Sequence, residues 1–538
     1  MLDHPLRSFD QVAPFGQKRP PGVGERHRRL WLGMAALAFM LLWYPLLTRL
    51  LAGEPLALSP FHPVPLGLAF NSMARHLLAG RFDIDPGAIG YEAFQPGGRT
   101  VSYFGIFCAL LRVPLVLVPA WSSTDITRLS CLAAVCLGAL FQMRAVLLVR
   151  DSVAPSARRT WLTVALLAAV LLGGQQIQFL RPSIYQEVVD WGGALAMGFV
   201  LLAVRGLSEQ IAGARNVRRR ESALQYKEPE QIAGARNMRK RESALAPSGF
   251  GRGALIGMAV FAGLAPLDRV SFGLGLYAAL GGVLVVHVRR PKLCWPPALV
   301  LFGFACIAGI VNIGRWGNPL VFADLGTYAM SQDVFPERLG HLAAYGVFSP
   351  HRLWLGLSYY FLPVWSIVRP DGQLLFAGAQ AAMIDSMELP PGSFLLSDPL
   401  LVGLCAVGLA ATLRQVRLQT SEGRAAAALM SGLAIPPLLM LCAISMTYRY
   451  RIEFYPMLVL GALLGFRHLC RDAASPFPAR LRAAIVAATV AGIAMSHAMA
   501  GLYAVSPWGP AENAITPAGL VHAYSRWVDA RPSGQDGR

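Results

Sequence analysis

Residues 30–51, LWLGMAALAFMLLWYPLLTRLL, decide the fold, because they carry a single charge in a run of twenty-two. Wound as an α-helix, such a run is about 33 Å long, which matches the hydrocarbon thickness of a bilayer. Comparable apolar runs recur at Ile126 to Val149, Trp161 to Leu180, Val270 to Val288, Cys294 to Asn312, Ala425 to Met446 and Ala483 to Val505. They are rich in Leu, Ala, Val and Gly and do not alternate in polarity, which argues against a transmembrane β-barrel. Composition agrees: over 538 residues the apolar set is 55% and charged residues only 14%, and mean hydropathy is +0.47. Water-soluble domains carry about a quarter charged residues. The expected fold class is therefore all-α and polytopic. The first apolar run is too long for a signal h-region and follows about thirty polar residues, so no cleavable signal is expected.

The net charge of +18 raises the question of nucleic acid, but in a membrane chain cationic loops mark the cytoplasmic side. Basic clusters lie at Lys18 to Arg29, Arg144 to Arg159, Arg205 to Arg252, Arg289 to Lys292, Arg414 to Arg424 and Arg467 to Arg482. The third holds eleven Lys/Arg against five Glu. If Tyr103 to Trp121 crossed the membrane, Arg150, Arg158 and Arg159 would fall outside. If that segment, broken by Pro114 and Pro119, is juxtamembrane or re-entrant, every basic cluster falls inside. The second count gives about eleven spans, with the N-terminus cytoplasmic. Three of those spans are short, near Ala254 to Leu267, Leu400 to Leu413 and Tyr455 to Phe466, and Leu353 to Val368 is a second expected non-spanning piece. The expected layout is a cytoplasmic tail 1–29, a transmembrane domain 30–505 and a polar C-terminal tail 506–538 on the outer side. Within the domain lie a first outer loop 52–125, a basic cytoplasmic loop 205–252 and a long outer loop 313–398. No nucleic-acid partner is expected.

The basic loop contains a tandem repeat. Glu209 to Leu224 (EQIAGARNVRRRESAL) recurs as Glu230 to Leu245 (EQIAGARNMRKRESAL), a period of 21 residues. One pair does not make a solenoid, and it reads as a duplication or as a basic surface helix facing anionic lipid. The eight cysteines form no C-x-x-C and the histidines no H-x-x-x-H pair, so no structural metal, no disulfide framework and no cofactor are expected.

Chemistry concentrates on the outer side. The first loop offers Asp83, Asp85 and Glu92, then Arg99, then an aromatic and apolar stretch. A carboxylate there can take the proton of an attacking hydroxyl while arginine neutralises a departing phosphate. The alternative is that Asp-x-Asp-Pro caps a turn. RPSIYQEVVDWGG, residues 181–193, supplies Arg181, Glu187 and Asp190 close to hydrocarbon, where charge is costly unless paired or wet. Tyr185 and Trp191 also suit an interfacial anchor. Asp268 and Arg269 are either a self-paired hairpin tip or a phosphate contact, and Asn312 and Arg315 open the next outer loop. In MTYRYRIEFYP, residues 446–456, Arg449, Arg451 and Glu453 cluster. Arg449 and Glu453 are four apart and on a helix would pair. The cluster also suits a phosphate or diphosphate headgroup.

These features together resemble the GT-C superfamily of membrane glycosyltransferases, which includes protein mannosyltransferases and transferases that decorate lipid A. The likeness rests on the cytoplasmic N-terminus and an acidic first outer loop whose helix reads A-x-x-L-L-x-G from Ala74 to Gly80. A Tyr103-Phe104-Gly105…Pro114 juxtamembrane piece, Tyr185 and Glu187 in a second outer loop, and the late RYRIEFYP also fit. The resemblance implies a GT-C-like fold and a polyprenyl-phosphate sugar donor. It makes Asp83, Asp85 and Glu92 base candidates, and Arg99, Arg269, Arg315, Arg449 and Arg451 donor-phosphate candidates, with Glu187 and Glu453 beside them. One departure stands out. Many members place an acidic pair just before the A-x-x-L-L-x-G helix, whereas residues 60–73, PFHPVPLGLAFNSM, have no carboxylate. Either the base role falls to Asp83, Asp85 or Glu92, or the fold is kept without the chemistry.

The expected function is sugar transfer from a polyprenyl-phosphate donor to an envelope acceptor on the outer face of a bacterial inner membrane. The rivals are a transporter or flippase of lipid-linked intermediates and a non-catalytic scaffold subunit. All of these expectations depend on topology. A phosphatase or fluorescent reporter fused near Arg220 is expected to report a cytoplasmic position, and a periplasmic signal would place the acidic loop on the wrong side.

Overall fold

The computed structural model describes residues 23–52, 63–153, 159–174, 182–224, 250–362, 382–384, 393–471 and 477–504. Expectations that fall elsewhere, among them Arg181, the second repeat unit and the C-terminal tail, lie outside the described residues. Sixteen helices of seven residues or more organise the rest. They are α1 Val23–Ala52, α2 Ala69–Leu78, α3 Phe107–Val116, α4 Thr127–Ser152, α5 Thr160–Leu172 and α6 Ile184–Leu224. Next come α7 Arg252–Asp268, α8 Val270–Val286, α9 Pro291–Trp316, α10 Glu337–Tyr345 and α11 Leu353–Phe361. Last come α12 Pro399–Arg417, α13 Ser421–Leu433, α14 Ile435–Leu441, α15 Tyr455–Arg471 and α16 Ala479–Ala504.

Seven segments are long and apolar enough to cross a membrane: Thr127–Ser152, Ile184–Gln210, Pro291–Trp316, Pro399–Arg417, Ser421–Leu441, Tyr448–Cys470 and Ala479–Ala500. The chain is a multi-pass α-helical membrane protein. Shorter apolar helices at Trp31–Tyr44, Thr160–Leu172 and Val270–Val286 supplement them, and each expected span falls wholly or partly on a helix. α3 is ten residues and α11 nine. At about 1.5 Å per residue neither reaches across a hydrocarbon core of about 30 Å.

The basic segment that begins at Arg205 differs from expectation. Its first part is not a loop, because α6 continues unbroken for 41 residues to Leu224. That is about 60 Å of helix, twice the hydrocarbon thickness. The run has no proline and few β-branched residues after Val204, so nothing stops the helix where the membrane span ends.

With lipid as solvent there is little hydrophobic drive between helices, so they associate where small side chains allow close packing. α12 and α15 cross backbone to backbone. A Cβ on Gly408 would lie 2.0 Å from the Gly461 carbonyl oxygen, and one on Gly465 would lie 2.0 Å from that of Leu404. Gly461 and Gly465 form the small-x-x-x-small face that makes this possible. α8 and α13 meet in the same way, where a Cβ on Gly432 would fall 2.2 Å from the Ala279 nitrogen. The main apolar core runs from α4 through α6, α7, α8, α13 and α15. A second core, built from α2, α3 and the start of α6, sits beneath the long loop between α1 and α4.

That loop is a folded unit. α2 buries Phe70, Asn71, Met73 and Ala74 against α3. A turn at Pro96–Gly98, with Gly97 and Gly98 at φ +60° and +77°, folds the chain back. Phe94 then bridges to Val101 on one side and to Tyr328 on the other. Backbone bonds Ala329 N to Ala93 O and Gln95 N to Thr327 O, both 2.9 Å, tie the loop after α9 to the first loop.

Replacing Gly465 by Leu is expected to lower thermal stability in detergent by about 1–3 kcal/mol or prevent accumulation. Gly403→Leu on the same helix pair should leave the melting temperature nearly unchanged, since a Cβ there meets nothing within 4 Å.

Candidate active site

Three polar clusters lie at or near helix ends around the segment that joins α1 to α4. The deepest is centred on Arg112, which is fully buried. An arginine inside the apolar run FCALLRVPLV has no solvent route and must find an anion. Glu187 of α6 provides it through two bonds, Nη1 to Oε1 at 2.5 Å and Nη2 to Oε2 at 2.8 Å. Nε donates to Asn71 Oδ1 at 3.0 Å, and Nη2 also reaches Thr127 Oγ1 at 3.2 Å. Asn71 in turn donates to the carbonyls of Ser122 and Thr124. This network pins α2, α3, α4 and α6 to one another. Losing one partner of such a buried pair costs about 3–5 kcal/mol.

The second cluster lies at the surface of the first loop. His76, on α2, is set between Asp83 and Asp85, with Nδ1 2.9 Å from Asp83 Oδ1 and Nε2 3.1 Å from Asp85 Oδ1. Asp85 also accepts from Ser72 Oγ at 2.6 Å and lies 3.4 Å from Arg75, while Arg81 Nε is 3.3 Å from Asp83. Burial opposes ionisation of Asp83, but the His76 bond and the His76 and Arg81 charges outweigh it and hold the carboxyl below its ordinary range. Asp85 is held low chiefly by the Ser72 hydroxyl, with burial opposing and His76 and Arg75 assisting. Asp85 does precede a helical turn, Pro86–Ile89, but makes no side-chain capping bond there.

The third cluster is assembled from segments remote in sequence. Glu92 is half-buried and accepts from the Tyr328 hydroxyl at 2.9 Å. The Tyr185 hydroxyl reaches the same carboxylate. The Arg449 guanidinium sits 4.8 Å over the Tyr185 ring and 5.5 Å from the Tyr450 ring. Arg269 packs 4.8 Å from that same Tyr450 ring and donates from Nε to Glu453 Oε1 at 2.6 Å. Cation–π contact of this kind keeps each guanidinium plane oriented. Tyr103 lies among these charges. Burial first, then the Glu92 carboxylate, pushes its hydroxyl above its ordinary value and keeps it protonated. Phe94, stacked 4.8 Å from Tyr328, and Trp316, edge-on 5.5 Å from Phe94, wall the group. The arrangement offers one accessible carboxylate, tyrosine hydroxyls and two oriented guanidinium groups.

The structure thus brings together Glu92, Arg269, Arg449 and Glu453, and places the other expected residues elsewhere. Asp83 and Asp85 bind α2 side chains rather than the arginines of the late segment. Glu187 is enclosed with Arg112. Arg99 is exposed on the loop. Arg315 is buried, donating to the Phe104 carbonyl at 2.7 Å with Met73 Sδ at 3.3 Å. Arg451 is fully enclosed: it pairs with Asp398 at 2.6 Å, bonds the Tyr448 hydroxyl at 2.8 Å and Ser397, and covers the Phe394 ring.

Two pairings read from spacing are corrected. Arg449 and Glu453 do not pair along a helical face, because residues Tyr448–Glu453 form a 3-10 turn, in which residues four apart no longer stack. Glu453 turns to Arg269 instead. Asp268 and Arg269 do not close on each other either: Arg269 faces Glu453, and Asp268 Oδ1 accepts from the Cys108 thiol at 3.4 Å. Residues not singled out from sequence include Tyr328, His76, Arg112 and Asp398. Arg112 carried a signal, a lone charge in an apolar run. Tyr328 carried none, since its partner is 236 positions away. Among the described residues no group of three His, Cys, Asp or Glu is arranged to hold a metal ion.

No family model matches the chain, and no curated protein does. Among solved structures it is similar to the Archaeoglobus fulgidus oligosaccharyltransferase AglB in complex with an inhibitory peptide and a dolichol-phosphate, at 13% identity and TM-score 0.42. That match covers 95% of this chain and 61% of the archaeal one, so the chain spans about three fifths of the length of that relative. The apo form of the same enzyme gives 13% identity and TM-score 0.44, covering 94% and 61%. ArnT from Cupriavidus metallidurans bound to undecaprenyl phosphate gives 15% identity and TM-score 0.28, covering 94% of this chain and 85% of that one.

The depressed Asp83 and Asp85 values carry a sign. Carboxyls held low stabilise the folded loop above their unfolded value, ordinarily 3.8, and that contribution is lost as pH falls through the folded value. Acidification below the ordinary carboxylate range is therefore expected to speed amide exchange in residues 69–101. Asp83→Asn should weaken that dependence, and an unchanged acid profile in the variant would contradict it.

Proposed function

We propose that this chain is an integral membrane glycosyltransferase that moves a sugar from a polyprenyl-phosphate donor to a cell-envelope acceptor. The reaction is placed at the outer face of a bacterial inner membrane, with the N-terminus cytoplasmic. The observation that carries the reading is the third cluster: a half-exposed carboxylate, Glu92, and the Arg449 guanidinium occupy two sides of Tyr185. A glycosyl transfer from a lipid phosphate needs those two functions side by side.

On this reading an acceptor hydroxyl gives its proton to Glu92 as its oxygen bonds the anomeric carbon. The bond between that carbon and the phosphate oxygen breaks, and the lipid phosphate leaves with the electron pair. Arg449 and Arg269 neutralise the charge that develops on it. Glu453 orients Arg269, and Tyr185 and Tyr328 hold Glu92 in place with neutral hydroxyls. Arg315, behind Phe104, adds positive potential beneath the site. Asp83 and Asp85 are weakened as bases, since His76, Ser72 and the nearby arginines already stabilise their ionised forms. Their role here is to hold the loop against α2. Arg451 serves the scaffold through Asp398. The sequence features shared with GT-C transferases support the same donor class.

Glu92→Gln is expected to abolish detectable sugar transfer in membranes supplied with polyprenyl-phosphate donor, a loss of at least about a hundredfold. Arg449→Ala should raise the donor concentration needed, and Asp83→Asn should retain most activity at matched protein level. Full activity in Glu92→Gln would remove the proposed base. Loss only in Asp83→Asn would transfer the role to the first-loop surface cluster.

A further inference from the structure

The 3-10 turn that carries Arg449, Tyr450 and Glu453 has no helix directly before it. α14 ends at Leu441, and residues 442–447 form no helix. Backbone without its own ladder keeps its place only when outside groups take up its polar atoms. α11 and the residues leading into it do this at both ends of the stretch.

At the near end stands Arg352, which is fully buried. The other enclosed arginines, Arg112 and Arg451, each meet a carboxylate. Among the described residues the bonds of Arg352 all end on backbone carbonyls instead. Nε donates to Ala382 O at 2.8 Å, Nη1 to Val347 O at 3.0 Å and Cys442 O at 3.2 Å, and Nη2 to Gly346 O at 3.0 Å. One planar fork of donors thus joins the turn after α10, residue 382 and the start of the 442–447 stretch. The main chain adds to the seam: Ser349 N donates to the same Cys442 carbonyl at 2.9 Å, and Ile384 N to Ile444 O at 3.1 Å. A Cβ on Gly356 would lie 2.3 Å from the Leu441 carbonyl oxygen, so α11 lies directly against the end of α14.

At the far end the Tyr360 hydroxyl, in the last turn of α11, donates to Thr447 O at 3.3 Å. That carbonyl also accepts the Tyr450 N–H at 3.2 Å. Between the two ends, Ser445 Oγ faces the Tyr450 hydroxyl at 3.5 Å. Tyr450 carries the ring against which Arg269 and Arg449 both pack.

We propose that Arg352 is a positioning residue for the phosphate arginines. By fixing residues 442–447 against α11 it sets where Tyr450 stands, and with Tyr450 the guanidinium groups of Arg269 and Arg449. The inference rests on the reading of those two arginines as donor-phosphate contacts. Arg352 acts through the main chain and touches no substrate.

Arg352→Lys keeps the charge but loses the fork, and Tyr360→Phe removes only the bond at the far end. Each full-length variant is compared with the wild type in nanodiscs, by amide exchange and by transfer kinetics with a polyprenyl-phosphate sugar as the varied substrate. Exchange is expected to speed in residues 442–454 and to stay unchanged in α4 and α6. The donor KM should rise about tenfold in Arg352→Lys and less in Tyr360→Phe, with kcat within about twofold of wild type. A merely structural defect would lower the amount of active protein, and so kcat, without moving KM. Where Arg352→Lys fails to accumulate, Tyr360→Phe decides. Unchanged exchange in residues 442–454 overturns the proposal, as does faster exchange with an unchanged donor KM. A wild-type protein that transfers no sugar would instead remove the transferase reading, and the exchange data would then decide alone whether Arg352 fixes the turn.

Discussion

Arg112 and Glu187 lie 75 positions apart in a place where neither can reach water, and the packing of α2, α3, α4 and α6 leans on that contact. A guanidinium in a low-dielectric interior stays charged only if an anion with matching geometry meets it. The two-bond contact therefore fixes where α3 stands against α6, and Asn71 passes the constraint to α2. The same logic recurs at Arg269–Glu453 and Arg451–Asp398. Each pair joins segments more than fifty positions apart, so the surface cluster is positioned by buried charge rather than by loop length.

Function then divides along exposure. Arg112 and Arg451 are enclosed and each held by a buried carboxylate, which suits support. Arg269 and Arg449 are only partly buried and flank one tyrosine ring, that of Tyr450. Small residues make this arrangement affordable in space: the glycines of the α12–α15 crossing and Gly192 let backbones come close enough for buried pairs to form.

Much of the scaffold was legible in the sequence for one physical reason. A helix in lipid must satisfy its own backbone and cover itself with apolar side chains, so runs such as residues 30–51 and Thr127–Ser152 stand out without any knowledge of neighbours. Proline likewise exposed α3 as a short piece. Glu187, Asp190, Arg269 and Glu453 were visible as costly charges near hydrocarbon. Their partners were not, because pairing is a tertiary property. Arg449 and Glu453 looked like helical neighbours, yet a 3-10 turn rotated them apart. Asp83, Asp85 and Glu92 looked equivalent within ten residues, yet the loop folds the first two onto His76 and delivers the third to Tyr328 and Tyr185. The continuation of α6 through Arg205 was missed because charge was read as loop, although Arg, Glu and Ala are good helix formers.

The most direct test of the central claim is where a lipid phosphate binds. A cryo-electron microscopy structure of the full-length protein in nanodiscs with added polyprenyl phosphate would place the headgroup. The account predicts phosphate density within hydrogen-bond reach of Arg449 and Arg269, beside Glu92. Density at the Asp83–His76–Asp85 surface, or away from all of these residues, would contradict it.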